Sequence, residues 1–195
     1  MWRHLTAADY HSSSWSGGTT TQLAIAPAGA DYEARDFLWR LSSATVELEQ
    51  SDFTALPDYR RLIATLEGEI RLRHNGGERI ALPPLRVHAF DGADETRSFG
   101  RCRDFNLMLR KGAAEGEMEA LLPEGSLTLQ ADPRGGLQLL FCVRGRCLAR
   151  SGADRAELFP GESLLTEGDR LIRLDAGADT ALMRCRMRQS GKEGT

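Results

Sequence analysis

The sequence is poor in the residues that mark the common catalytic and metal-binding classes. Its four cysteines, Cys102, Cys142, Cys147 and Cys185, form no C-x-x-C pair and no Cys/His cluster, so they read as buried apolar thiols in a reducing compartment rather than as zinc ligands or disulfides. The four histidines, His4, His11, His74 and His88, include no pair at the close spacing that metal sites use. No metal and no cofactor is therefore expected. A nucleophile elbow, a P-loop and a dinucleotide fingerprint are all missing, and Gly17-Gly18 and Gly76-Gly77 are too short to cradle a phosphate. With 25 basic and 28 acidic residues, scattered singly and summing to −3, the chain offers no pull toward nucleic acid or an anionic membrane. It also lacks an apolar run of signal-peptide length near Met1, and none approaches the roughly 20 residues of a spanning helix, so a soluble cytoplasmic protein is expected.

What the sequence does carry is a long internal repeat. From Leu66 to Val87 it spells a strand, a glycine turn at Gly68, an alternating strand from Ile70, a polar turn from His74 to Gly77, a short strand from Arg79, a proline at Pro83 and another strand. The pattern returns 77 residues on, placing Gly145 on Gly68, Phe159 on Leu82 and Pro160 on Pro83. Glycine supplies a turn without the steric cost of a Cβ, and proline falls where no ladder hydrogen bond is needed. Short alternating runs punctuated at this spacing predict an all-β chain of two jelly-roll β-barrels. The linker-like composition from Lys111 to Glu117 sets the boundary: residues 1–112 form one barrel and 113–195 a second, degenerate one. Residues 1–14 read as a polar lead-in.

The first barrel holds the polar supply. After Trp39, the polar Arg40, Ser42 and Thr45 interrupt an otherwise apolar strand, and Asp104, Asn106, Met108 and Arg110 share one face of another. Thr20 and Thr21 follow a glycine pair, and Arg61 follows the aromatic stretch from Phe53 to Tyr59. Buried polar groups need partners, and an arginine fork binds a carboxylate through two parallel hydrogen bonds. The candidate ligand-binding set is therefore Arg61, Arg40, Thr20, Thr21, Trp39, Ser42, His88 and Asn106, with Arg61 as the anchor. The second barrel's matching strands, Leu137 to Val143 and Leu164-Leu165, are apolar and predict a filled interior.

Several stretches resemble one family. Trp15 to Leu23, Phe37 to Val46, Phe53 to Arg61, Leu66 to Gly68, Phe90 to Gly92 and Asp104 to Met108 occur in the order found in HutD/Ves proteins, and together span residues 15–110. The resemblance implies a bicupin fold and an association with histidine utilisation. Members of the family are thought to bind an N-formyl- or N-formimino-glutamate-like metabolite and to limit expression of the pathway without catalysing a step. Where many members read W-K-N-G-G-G ahead of T-x-E, this chain has the shorter Trp15-Ser16-Gly17-Gly18, and Gln22 replaces the glutamate.

Three classes of function stand side by side at this point. A non-enzymatic regulator that binds a small carboxylate metabolite fits the arginine and hydroxyl supply, with a homodimer admitted as its assembly. A metal-independent isomerase or hydrolase acting on a small carboxylate would need a base, for which His88 and Asp104 are the candidates. A purely structural module would need no polar cavity.

Overall fold

The computed structural model describes residues 1–130, 136–168 and 170–191, which form nineteen strands, one short 3-10 turn and no α-helix. The chain divides into two compact units, Tyr10–Glu115 and a second that joins Met1–Asp9 to Gly116–Thr195. The expected boundary at 112/113 thus lies three residues before the observed one, and the first nine residues belong to the other unit. They are no lead-in: their strand pairs with residues 163–166, and Leu5 is buried.

The strands are β1 (Trp2–Leu5), β2 (His11–Trp15), β3 (Gly18–Ala26), β4 (Trp39–Val46), β5 (Gln50–Asp52), β6 (Tyr59–Glu67), β7 (Ile70–His74), β8 (Arg79–Leu82), β9 (His88–Asp91), β10 (Thr96–Phe99) and β11 (Cys102–Arg110). They continue with β12 (Ala114–Leu121), β13 (Ser126–Leu129), β14 (Leu137–Arg144), β15 (Cys147–Ser151), β16 (Asp154–Leu158), β17 (Ser163–Glu167), β18 (Ile172–Ala176) and β19 (Ala181–Gln189).

Each unit holds one larger and one smaller sheet. In Tyr10–Glu115 the orders are β2-β3-β4-β11-β6-β9 and β5-β10-β7-β8; in the other unit they are β1-β17-β14-β19-β12 and β13-β18-β15-β16. The run β4-β11-β6-β9 corresponds to β12-β19-β14-β17, and the two small sheets correspond strand for strand, so the sequence repeat is a repeat of topology. The additions differ, with β2 and β3 outside β4 in one unit and β1 outside β17 in the other. Among the described residues no sheet closes on itself, and each unit of the expected two jelly-roll barrels is seen as a pair of open sheets. Edge β2, with its three serines and every residue exposed, leaves its free groups to solvent rather than to a closing strand.

The 77-residue offset is kept where glycine fixes the turn. β7 and β15 stand 77 residues apart from end to end, and Gly68 and Gly145 before them have φ of 75° and 73°. A Cβ at Gly68 would lie 2.6 Å from the Arg101 carbonyl oxygen, and one at Gly145 2.7 Å from the Thr180 Cα. The next hairpin loses a residue. Ile70 faces Leu82, but its counterpart Cys147 faces Leu158, so Leu158 and not Phe159 fills the buried place of Leu82. Phe159 is left 47% exposed.

Packing separates the units further. Leu140, Cys142, Cys147, Leu158, Leu164, Leu174 and their neighbours make one continuous apolar cluster in the second unit. In Tyr10–Glu115 one apolar cluster gathers around Ile63, Leu72 and Phe90 and another around Phe37, Tyr59 and Met108. The four cysteines are buried and unbridged, and burial raises every one of their pKa values, that of Cys102 to about 12 and that of Cys142 to about 11. They act as small apolar side chains.

Candidate functional site

Between the two apolar clusters of Tyr10–Glu115 lies a cavity of about 480 Å³. Pleating decides its floor. Along β4, Arg40, Ser42, Ala44 and Val46 face it, and along β11, Asp104, Asn106 and Met108 do the same. Arg61 on β6 stands opposite Met108, and Thr20 on β3 stands opposite Ala44. Tyr32, Phe53 and Thr54 add walls from the loops, while the exposed Ser13, Ser14, Trp15 and Asp52 rim the opening.

Arg61 is 6% exposed. One of its terminal nitrogens donates to Asn106 Oδ1 at 3.2 Å and the other reaches the Thr54 carbonyl at 3.5 Å, while Nε is buried without any partner. Its guanidinium carbon lies 4.9 Å from the Phe53 ring centroid and 5.2 Å from that of Phe90, so aromatic faces flank the charge. Burial lowers its pKa to about 10, which leaves it a cation at neutral pH. Arg40 sits 4.4 Å from the Tyr32 centroid and donates to Gln22 Oε1 at 2.7 Å and to Ser42 Oγ at 3.1 Å. Gln22 accepts that bond without neutralising the charge, as the glutamate of the family pattern would.

Asp104 is the third charge. Its Oδ1 accepts from the Ala44 N–H at 3.0 Å and from Asn106 Nδ2 at 2.8 Å. Burial raises its pKa to about 6, against the pull of those two hydrogen bonds and of Arg61. Asn106 thereby stands between acid and base, receiving a proton donor from Arg61 and presenting its own to Asp104.

Five residues of the sequence-derived set, Arg61, Arg40, Thr20, Ser42 and Asn106, line this cavity. The other three lie elsewhere. Thr21 and Trp39 are strand neighbours of Thr20 and Arg40, so the period of two turns them to the opposite face, where Thr21 bonds Ser12 Oγ at 2.9 Å. His88 pairs instead with His74, with the two Nε2 atoms 2.9 Å apart. The Thr96 hydroxyl donates to the Asp94 carbonyl and so accepts from His74 Nδ1 at 2.8 Å. His74 Nε2 is then the acceptor and His88 Nε2 carries the hydrogen. The pair is a structural link, not a base facing the cavity. Sequence reasoning left Tyr32, Phe53 and Asp104 out of the binding set; for Asp104 the shared face with Asn106 was the available signal.

Among the described residues no group of three or more His, Cys, Asp or Glu side chains could hold a metal ion, and no helix is long and apolar enough to cross a membrane.

No curated protein matches the chain. A solved structure of a conserved protein of unknown function from Pseudomonas aeruginosa PAO1 is 28% identical, with 96% of this chain and 98% of that one covered and a TM-score of 0.85. HutD from Pseudomonas fluorescens SBW25 is 23% identical, with coverages of 98% and 100% and a TM-score of 0.79. A cupin 2 conserved barrel domain protein from Leptotrichia buccalis, 8% identical with 96% of each chain covered and a TM-score of 0.59, shares the fold alone. The fold is cupin-like, and the HutD family model matches residues 7–183. This chain belongs to the HutD family.

Proposed function

We propose that the protein binds a small carboxylate metabolite in the cavity of Tyr10–Glu115 and, as a cytoplasmic bicupin of two jelly-roll units, regulates histidine utilisation without catalysing a step. The observation that carries this reading is Arg61, a buried cation that faces a cavity, keeps an unused N–H and has no carboxylate within ion-pair distance among the described residues. Burying an uncompensated charge is costly, and an anionic ligand removes that cost by pairing with it. Arg40 contributes a second guanidinium whose partners are neutral. Glu33 and Asp52 lie at the exposed edge of the lining, so in its buried part the two cations Arg40 and Arg61 face one acid, Asp104, which favours an anionic ligand there, and a cavity of about 480 Å³ accommodates an N-formyl- or N-formimino-glutamate-like molecule.

Calorimetry of N-formylglutamate against the wild type and Arg61→Ala tests the proposal. Saturable binding lost in the variant supports it, whereas equal affinity in both proteins overturns it. One observation favours a second reading: the pKa of Asp104, near 6, suits a general acid or base for a metal-independent isomerase or hydrolase. Turnover of the bound carboxylate, abolished in Asp104→Asn, would select that reading over simple binding.

A further inference from the structure

The small sheet of Tyr10–Glu115 carries a row of charge whose arginines do not line the cavity. Across its four strands stand Arg79, Arg73, Arg97 and Asp52, each directly opposite the next. Leu72 and Ser98, the neighbours of Arg73 and Arg97 in their strands, are buried, so the arginines project from the other face of the sheet. Like charges directly opposite one another destabilise a sheet unless something lies between them.

The small sheet of the other unit repeats the row with Arg155, Arg150 and Arg173 at the equivalent places. There a carboxylate solves the repulsion. Asp175 lies 2.9 Å from Arg150 and 3.3 Å from Arg173. The place of Asp175 is taken in Tyr10–Glu115 by Phe99, two residues beyond Arg97 as Asp175 is two beyond Arg173. Asp52 engages Arg97 at 2.5 and 3.0 Å and feels Arg73 only at longer range, while the contacts of Arg73 and Arg79 are with the Phe99 ring, 5.6 and 3.9 Å from its centroid. No carboxylate pairs with either among the described residues.

We propose that this sheet face docks an acidic, carboxylate-bearing segment of a partner protein, one side chain of which takes the place that Asp175 has in the second unit. Charge complementarity selects the partner, and the second unit displays the contact within one chain. A nucleic acid fits less well, because the Phe99 ring is already engaged by two guanidiniums and offers no platform for a base. Asp52 alone of the row also touches the cavity rim; Arg73, Arg79 and Phe99, on which the proposal rests, do not line the cavity, so it is tested independently of the ligand.

The test is fluorescence anisotropy of a labelled deca-glutamate peptide at low ionic strength. Wild type is expected to bind, and Arg73→Ala/Arg79→Ala to bind at least about tenfold more weakly. Phe99→Asp keeps every arginine but supplies the missing acid, and should lose binding to the same degree. Phe99→Leu, which removes the ring without adding charge, should retain it, as should Arg150→Ala/Arg155→Ala. Failure of wild type to bind, undiminished binding by Phe99→Asp with its circular dichroism unchanged, or tighter binding of a single-stranded RNA of equal charge would each overturn the proposal.

Discussion

Arg61 and Gln138 occupy the same place in the two units, 77 residues apart on β6 and β14, and each carries a buried side-chain N–H with no partner. Their neighbours are exchanged as well. Arg61 donates to the amide of Asn106 on β11, whereas Gln138 accepts from the guanidinium of Arg184 on β19, where β19 corresponds to β11. The Arg184 cation is compensated by Glu119 at 3.2 Å and by the Gln130 carbonyl. Among the described residues Arg61 has no such direct ion pair, and Asp104 is linked to it through Asn106. The duplicated wall therefore holds an arginine–amide couple in both units, ion-paired in one and without a direct ion pair among the described residues in the other.

Truncating Arg61 should therefore abolish carboxylate binding while its counterpart tolerates change. Arg61→Ala is expected to cost about 2 to 5 kcal/mol in the affinity for N-formylglutamate, and Arg61→Lys at least about tenfold, because lysine keeps the charge but not the fork. Gln138→Ala should leave the affinity unchanged. Titration calorimetry on the three variants separates these outcomes.

Arg184→Met should act on stability instead. It removes the donor that satisfies the buried Gln138 oxygen and the Gln130 carbonyl, at a cost of about 2 to 4 kcal/mol in urea unfolding, with N-formylglutamate affinity retained.

Through Asp104 both stability and carboxylate binding should depend on pH. Its pKa is raised from 3.8 to about 6, so its contribution to stability is fully present below pH 3.8 and lost as pH rises through about 6, where the buried acid ionises. Protonation also removes a negative charge from the cavity. Affinity for a carboxylate ligand should rise as pH falls through about 6, and Asp104→Asn should show that higher affinity at neutral pH with a flat profile.

The His74–His88 pair has the opposite sign. Burial lowers both pKa values below 6.5, so the stability each contributes is present above pH 6.5 and lost as pH falls through the folded values. In the Asp104→Asn background, which removes the competing titration, the urea midpoint should decline below pH 6.5. A further His74→Gln/His88→Gln pair should flatten that decline, and an unchanged slope would count against the pair as its source.

Gly68→Ala should destabilise the hairpin between β6 and β7 by about 1 to 3 kcal/mol, since its φ is positive and a Cβ would meet a backbone carbonyl. Gly76→Ala, with a similar φ of 71° but open space around it, should cost less. Thermal melts of the two variants make the comparison.

What depends on local geometry was legible in the order of the residues. Alternation wrote the strands, Gly68 and Gly145 wrote the turns, and the repeat between them announced two units of one topology because the same turn followed by the same alternation folds the same way twice. It also set Asp104, Asn106 and Met108 on one face and placed the polar cavity in the first half with Arg61 and Arg40. The period of two, applied strictly, separates Thr20 from Thr21 and Arg40 from Trp39 without any structure. Only the tertiary structure decided the rest. β1 joins the second unit through pairing with β17, a contact across about 160 residues for which no local signal exists. His88 finds His74 rather than the cavity because β9 pairs at the far edge of β6, and Arg61 meets Asp104 only through Asn106 because β6 and β11 pair in this register. Charge compensation is a property of neighbours in space, and sequence order does not record which strands become neighbours.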